Sequence, residues 1–169
     1  MNHQHPKQFR LLAIALTCRG LGYAVLEGEE SLIESSHMSV RKGDKNEKCL
    51  AKVETLIKFY QPEVLVLQDV RAKGSRRALR IKRLYRAVVR FARKQKIKVE
   101  LISEAQLRTL LLGDPRGTKH EIAEMIAKLF PDELALRLPP KRRAWESADS
   151  RMDIFDAVAL AVAFRMRER

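Results

Sequence analysis

The stretch Asp153-Ile154-Phe155-Asp156-Ala157-Val158-Ala159-Leu160-Ala161-Val162-Ala163-Phe164, late in the 169-residue chain, decides the fold. Its alanine, leucine and valine content predicts a helix, and the nearly unbroken apolar run after Asp156 predicts that this helix is buried. Ser150 lies three residues before Asp153, a spacing close to that of a capping box. Because Asp153 and Asp156 are three residues apart, they share one face of the first turn.

The two carboxylates of this turn allow two interpretations. Carboxylate oxygens at the head of a buried helix are suitable ligands for a hard divalent cation. Acidic side chains also favour the first turn of any helix, because they complement the helix dipole. The stretch by itself favours the second interpretation, so a metal site needs support from the rest of the chain.

The charge of the chain indicates a polyanionic partner. The formal net charge is +13 and the isoelectric point is near 10.1, values typical of proteins that bind nucleic acid. Thirteen of the 34 Lys and Arg residues lie between Arg71 and Lys98, where there is no Asp or Glu. The other 21 basic residues equal the 21 acidic ones, so this segment carries the whole excess.

Length and composition predict one domain over residues 10–169, preceded by a flexible tail at residues 1–9. Two cysteines, Cys18 and Cys49, are too few for a disulfide framework and have no metal-binding spacing, so reduced thiols and a cytoplasmic location are expected. No run is apolar and long enough to cross a membrane, and no membrane partner is expected.

Short turns between the first apolar runs predict an antiparallel meander of three strands, followed by two buried strands. The predicted strands are Leu11 to Leu16, Leu21 to Leu26, Ser31 to Val40, Val64 to Leu67 and Lys98 to Ile102. The predicted helices follow Asp44 up to Pro62, run from Gly74-Ser75 to about Gln95, follow the caps Ser103 and Thr118, and close the chain. The fold class is therefore α/β, with a mixed five-stranded sheet and helices on both faces. Residues 132–149 are predicted to be irregular.

Several short motifs occur along this framework in a particular order and spacing. They are Gly22-Tyr23, the segment Ser103-Glu104-Ala105-Gln106-Leu107-Arg108, the residues Gly113, Gly117 and Lys119, and Asp153-x-x-Asp156-Ala157. Together they resemble the RuvC branch of the RNase H-like superfamily, the Holliday junction resolvases, from about Leu11 to Phe164. The resemblance implies an RNase H-like fold and a symmetric homodimer, for which helices 44–60 and 75–95 are candidate interfaces.

The resemblance also implies cleavage of a phosphodiester by two divalent ions, usually Mg²⁺, held by four carboxylates. Asp153 and Asp156 match the two on the last helix. The aspartate that ends the first strand falls on Ala15, and the glutamate that ends the fourth strand falls on Gln68. Asp69 is adjacent, but consecutive strand residues point to opposite faces, so it should point away unless a bulge turns it.

Three interpretations follow. The first is a nucleic-acid-binding protein, most simply of branched or junction DNA or else of RNA, whose nuclease activity is lost or impaired. The second is an active Mg²⁺-dependent endonuclease with a rearranged site that uses Asp69, Asp153 and Asp156, together with an acid such as Glu104. The third is a protein-interaction scaffold. The first interpretation is favoured because alanine cannot replace the carboxylate that bridges both ions in the superfamily. No tightly bound cofactor is expected, and Mg²⁺ is expected to bind only if the site is active.

Candidate nucleic-acid contacts come from three parts of the chain. The expected phosphate-binding side chains of the basic helix are Arg76, Arg80, Arg83 and Arg90. Lys119 matches a family residue near the site, which implies a phosphate-facing or catalytic role, although a solvated amine is equally compatible. The basic loop Lys141-Arg142-Arg143 either contacts DNA or is simply solvated. Trp145 is expected to cover the core.

Overall fold

The structure, a computed structural model, describes residues 8–72 and 77–169. Its centre is a five-stranded sheet in the order β3-β2-β1-β4-β5. The strands are β1 (Arg10–Thr17), β2 (Gly20–Glu27), β3 (Ser31–Ser39), β4 (Val64–Gln68) and β5 (Lys98–Ile102). β1, β2 and β3 pair antiparallel, whereas β4 pairs in parallel with β1 and with β5. The predicted mixed sheet is therefore confirmed.

Helices cover both faces of the sheet, as predicted. They are α1 (Lys45–Tyr60), α2 (Leu79–Lys94), α3 (Glu104–Leu112), α4 (Lys119–Leu129), α5 (Pro131–Leu134) and α6 (Met152–Glu168), with one turn of 3₁₀ helix at Ala135–Arg137. α6, α4 and α3 pack on one face with the odd-numbered β1 residues, and α1 and α2 pack on the other with the even-numbered ones. This alternation is the ordinary consequence of strand geometry.

Predicted caps hold several of these helices in place. The Asp44 side chain accepts a hydrogen bond from the Glu47 N–H at the start of α1. Ser103 and Thr118 each form a full capping box, with Gln106 and Glu121 as the reciprocal partners. The starts of α3 and α4 are therefore fixed by local sequence.

The final helix α6 lies across β1 and β2, with ten buried residues. The contact is close enough that a Cβ atom added to Gly22 would lie 2.0 Å from the Asp153 carbonyl oxygen. Only glycine allows the backbones of β2 and α6 to approach this closely. Gly22 therefore sets the position of the α6 N-terminus over the sheet.

Three local predictions about this part of the chain were wrong. Ser150 does not cap α6, because the backbone already turns before the helix, where the Asp153 N–H bonds the Ser150 carbonyl and Asp149 accepts from the Arg151 N–H. Residues 132–149 are not wholly irregular, since Pro131 opens α5 as a first-turn proline and Leu134 is fully buried. Trp145 does not cover the core, because its side chain is 78% exposed.

One further expectation differs in detail. The predicted opening of α2 at Gly74 and Ser75 falls outside the described residues; Arg77 and Ala78 are not helical, and α2 begins at Leu79. Leu129, an apolar residue, is 50% exposed at the last position of α4.

Candidate functional site

A small pocket of about 50 Å³ lies where the carboxyl ends of β1 and β4 meet the first turns of α3, α4 and α6. Its lining combines polar and charged side chains with apolar ones. Its lining residues include Ala15, Gln68, Arg77, Ser103, Glu104, Arg108, Lys119 and Asp156. Crevices at the carboxyl ends of sheet strands are where α/β proteins commonly bind ligands.

The sheet register explains why distant residues meet in this pocket. Ile14 on β1 pairs with Leu67 on the parallel strand β4, which places Ala15 and Gln68 side by side at the strand ends. Both belong to the face covered by α6, since Ala15 packs in that core and Gln68 lines the same pocket as Asp156. The structure thus brings Ala15, Gln68 and Asp156 together.

Gln68 is held between a cation and an anion. The Arg77 guanidinium donates from Nη2 to Gln68 Oε1 at 2.7 Å, and Gln68 Nε2 donates to Glu104 Oε1 at 3.1 Å. Arg77 also donates from Nη1 to the Leu16 carbonyl at 3.4 Å, at the end of β1. A neutral amide suits this position because it can accept from a guanidinium and donate to a carboxylate at once.

The two carboxylates of the pocket each have a basic partner. Lys119 Nζ lies 3.4 Å from Asp156 Oδ2, and Arg108 Nη2 lies 3.5 Å from Glu104 Oε2 one helical turn away. The lysine and arginine side chains are 52% and 28% exposed. Arg77, Arg108 and Lys119 therefore face Glu104 and Asp156, leaving an excess of one positive charge among the described lining residues.

Asp153 lies beside this pocket without lining it. It is 6% exposed, and its Oδ2 accepts a hydrogen bond from Thr17 Oγ1 at 3.3 Å. Burial, with a further contribution from Asp156, raises the pKa of the Asp153 carboxyl above its usual range, although Arg19, Thr17 and His37 act in the opposite direction. Asp153 is therefore a buried, hydrogen-bonded carboxyl group rather than an exposed ligand.

Asp69 lies apart from the pocket. Its N–H bonds the Ile102 carbonyl of β5, and its carboxylate accepts from the backbone N–H of Arg71 at 3.0 Å. It lines a groove on the α2 side of the sheet, the side expected for the residue that follows Gln68.

The donor set around the pocket does not fit a Mg²⁺ pair. Over residues 8–72 and 77–169, no three His, Cys, Asp or Glu side chains are grouped so as to hold a metal ion. Asp153 and Asp156 are close enough to interact, but Ala15 supplies no oxygen and Gln68 is already bonded to Arg77 and Glu104. Mg²⁺ requires near-octahedral oxygen coordination, which this arrangement lacks.

A second, larger groove of about 800 Å³ runs between α2 and the ends of β4 and β5. Its basic lining residues are Arg71, Lys82, Arg86, Arg90, Arg93 and Lys94, and its only described acidic lining residue is Asp69. A groove with this charge is suited to a polyanion.

The predicted arginines of the basic segment occupy different environments. Arg83 and Arg90 are exposed on α2. Arg80 is partly buried, and its Nη1 donates to Asn46 Oδ1 of α1 at 2.7 Å, so its guanidinium joins α1 to α2. Arg76 lies outside the described residues.

The basic loop 141–143 is exposed throughout. Arg142 Nη1 donates to the Glu146 carbonyl at 3.3 Å, and the Arg143 guanidinium lies 5.7 Å from the Trp145 ring centroid. A guanidinium over an exposed indole forms a cation–π pair. Both described cysteines are free thiols, Cys18 exposed and Cys49 buried.

Sequence reasoning did not single out Arg77 or Arg108 as site residues. Arg77 was one member of a uniformly basic segment, and nothing in its neighbours marks it as the arginine that turns inward. Arg108 carries a signal that could have been used, because it follows Glu104 by four residues on α3.

Comparison with solved structures shows the class of fold. Thermus thermophilus RuvC in complex with Holliday junction substrate aligns with a TM-score of 0.69 at 17% identity, covering 95% of each chain. The yeast mitochondrial Holliday junction resolvase Ydc2 aligns at 0.60 and 15% identity, covering 96% of this chain and 82% of the other. The fowlpox virus Holliday junction resolvase aligns at 0.57 and 12% identity, covering 95% and 100%.

The chain therefore has a RuvC-like, RNase H-like fold, as the sequence predicted. No family model and no curated protein sequence matches the chain. Among the described helices, none combines the length and apolar character needed to cross a membrane.

Proposed function

We propose that this protein binds branched nucleic acid, in the first place four-way junction DNA, and has lost or nearly lost metal-dependent cleavage. The observation that carries the proposal is the pocket at the strand ends, where Gln68 bonds Arg77 and Glu104 and Ala15 supplies no ligand. A nuclease that uses two metal ions needs carboxylates at those positions to activate water and stabilise the leaving oxygen.

The charge distribution supports nucleic acid as the partner. The net charge is +13, and the α2 groove has six basic lining residues against one acidic residue among those described. Contacts to phosphates supply affinity without reading bases, so we expect recognition of shape rather than sequence. The solved structures with this fold include complexes of the Thermus and fowlpox proteins with Holliday junction DNA.

The alternatives have less support. A rearranged endonuclease site using Asp69 with Asp153 and Asp156 would need Asp69 to reach across the sheet from the α2 groove. A scaffold that binds only proteins leaves the concentrated charge of α2 without a role. The homodimer and the choice between DNA and RNA remain predictions; Mg²⁺ is expected to be dispensable for binding.

Binding to labelled four-way junction, duplex and single-stranded DNA, and to a four-way RNA junction, tests the proposal. We expect the DNA junction to bind most tightly, with an affinity that falls steeply as salt rises, because phosphate contacts release counterions. Equal binding to every substrate would contradict shape recognition. Absent or salt-independent binding would contradict nucleic-acid binding altogether.

A further inference from the structure

We propose that Arg77, Arg108 and Lys119 replace the metal ions of this pocket and bind one nucleic-acid backbone phosphate directly. The inference rests on the proposed function and extends it, because it assigns a ligand class to a pocket that would otherwise be only a lost metal site. The described lining residues already carry an excess of one positive charge before any ion is added.

Arg77 is positioned as the fixed cation of the site. Its two described hydrogen bonds, to Gln68 Oε1 and to the Leu16 carbonyl, tie its guanidinium to the ends of β4 and β1. A guanidinium has five N–H donors in a rigid planar fork, so donors beyond these two can serve an anion. The fork geometry suits phosphate oxygens.

Lys119 and Arg108 are positioned as exchangeable cations. Their ion pairs with Asp156 and Glu104 are long, at 3.4 and 3.5 Å, and partly exposed. Pairs of this kind contribute little free energy, so each basic side chain can turn toward a phosphate at low cost. Glu104 meanwhile keeps a polar neighbour, since it accepts a hydrogen bond from Gln68.

Helix orientation adds to the positive potential. α3 and α4 both begin at this pocket, with Ser103, Glu104 and Lys119 in its lining. The positive ends of two helix dipoles therefore lie beside the three basic side chains.

The consequence is retention of a phosphate without attack on it. Protein cations can neutralise a phosphodiester, but they do not generate the metal-bound hydroxide that a two-metal nuclease uses. Binding at this pocket should thus be the same in chelator and in Mg²⁺.

The test is a double-mutant cycle on a four-way junction in which phosphates near the crossover are replaced one at a time by neutral methylphosphonates. Arg77→Gln is compared with Arg41→Gln, an exposed arginine of the β3–α1 loop that does not line this pocket. Both variants remove one positive charge, so a difference between them reports position rather than net charge. Arg108→Gln is run as a second pocket variant, with circular dichroism of each variant to verify folding.

We expect Arg77→Gln to weaken junction binding by about tenfold or more, as for loss of a hydrogen bond between charged groups. At one methylphosphonate position the wild type should lose affinity, whereas Arg77→Gln should lose little further affinity there. The effects of Arg41→Gln and of each methylphosphonate should be additive at every position. This inference alone would be overturned if the wild type binds the junction but the effects of both pocket variants are additive with every methylphosphonate. Failure of the wild type to bind any junction would remove the proposed function and this inference with it.

Discussion

At the scale of single residues, Asp153 shows how the fold changes the chemistry of a carboxylate. Its side chain is buried at the first turn of α6, and its pKa is raised, chiefly by burial and then by Asp156. The folded protein therefore binds this proton more tightly than the unfolded chain does. Ionisation of Asp153 must then reduce the free energy of unfolding as pH rises above the ordinary carboxyl range.

Replacement of Asp153 by asparagine should remove that pH dependence. Asparagine keeps an oxygen that can accept from Thr17 Oγ1, so the variant should match the wild type at mildly acidic pH and become the more stable protein toward neutral pH. Urea unfolding across this range measures the difference. Asp132→Asn, at an exposed carboxylate on α5, is the matched control. A stability difference between the wild type and Asp153→Asn that does not change with pH would contradict the account.

Gly22 is the second residue with a specific structural requirement. An alanine Cβ there would meet the Asp153 carbonyl at 2.0 Å, so β2 and α6 would have to separate. We expect Gly22→Ala to cost about 1–3 kcal/mol, the usual range for overpacking in a core, measured by chemical denaturation. Ser39→Ala, on the exposed end of β3, should cost much less; an equal cost for both would show that α6 does not depend on this contact.

At the scale of elements, α2 divides cleanly into two faces. Its buried face consists of Ile81, Leu84, Tyr85, Val88 and Ala92. Tyr85 accepts a hydrogen bond from the Leu16 N–H at 3.1 Å, and Arg77 just before the helix bonds the Leu16 carbonyl. The same helix thus organises the end of β1 on one face and presents exposed arginines on the other.

Loss of two exposed arginines should therefore affect binding rather than folding. Arg83→Gln with Arg90→Gln should weaken junction binding and reduce the slope of log affinity against log salt by up to about 2, roughly one for each phosphate contact. The control pair Lys58→Gln with Lys128→Gln removes the same charge from exposed positions on α1 and α4. Identical slopes for the two pairs would mean that α2 has no particular role.

Elements with strong local signals were predictable from the sequence. The aliphatic run 64–67 and the caps Asp44, Ser103 and Thr118 are signals within a few residues, and each appears in the structure. The predicted cap of α6 at Ser150 was wrong because Asp149 and Arg151 form a turn before the helix. The short α5 was missed because it is only four residues long, although a proline such as Pro131 is typical of a first helical turn.

At the scale of the whole molecule, the sheet brings the site together. Ala15 and Gln68 come from the parallel neighbouring strands β1 and β4, and Arg77 precedes α2. Lys119 and Asp156 come from α4 and α6, on the sheet face opposite α2. Strand alternation predicted that Asp69 would face away from Asp156. The network around Gln68 was not predictable, because it depends on which arginine of a uniformly basic segment turns inward, and tertiary packing decides that.

The placement of Arg77 also bears on restoring a metal site. Ala15→Asp with Gln68→Glu would supply the missing carboxylates, but the Arg77 guanidinium would then pair with the new glutamate. We expect calorimetry to detect Mn²⁺ binding only when Arg77→Gln is added to these two changes. Equal Mn²⁺ binding by the double and triple variants would show that Arg77 does not compete with a metal at this position.

Cleavage of a four-way junction in the presence of Mg²⁺ or Mn²⁺ tests the central claim most directly. The wild type, at concentrations that saturate the junction, should leave it intact, and Asp153→Asn should behave identically in this assay. The claim is contradicted if the wild type cuts the junction at a rate well above background and Asp153→Asn abolishes that cutting.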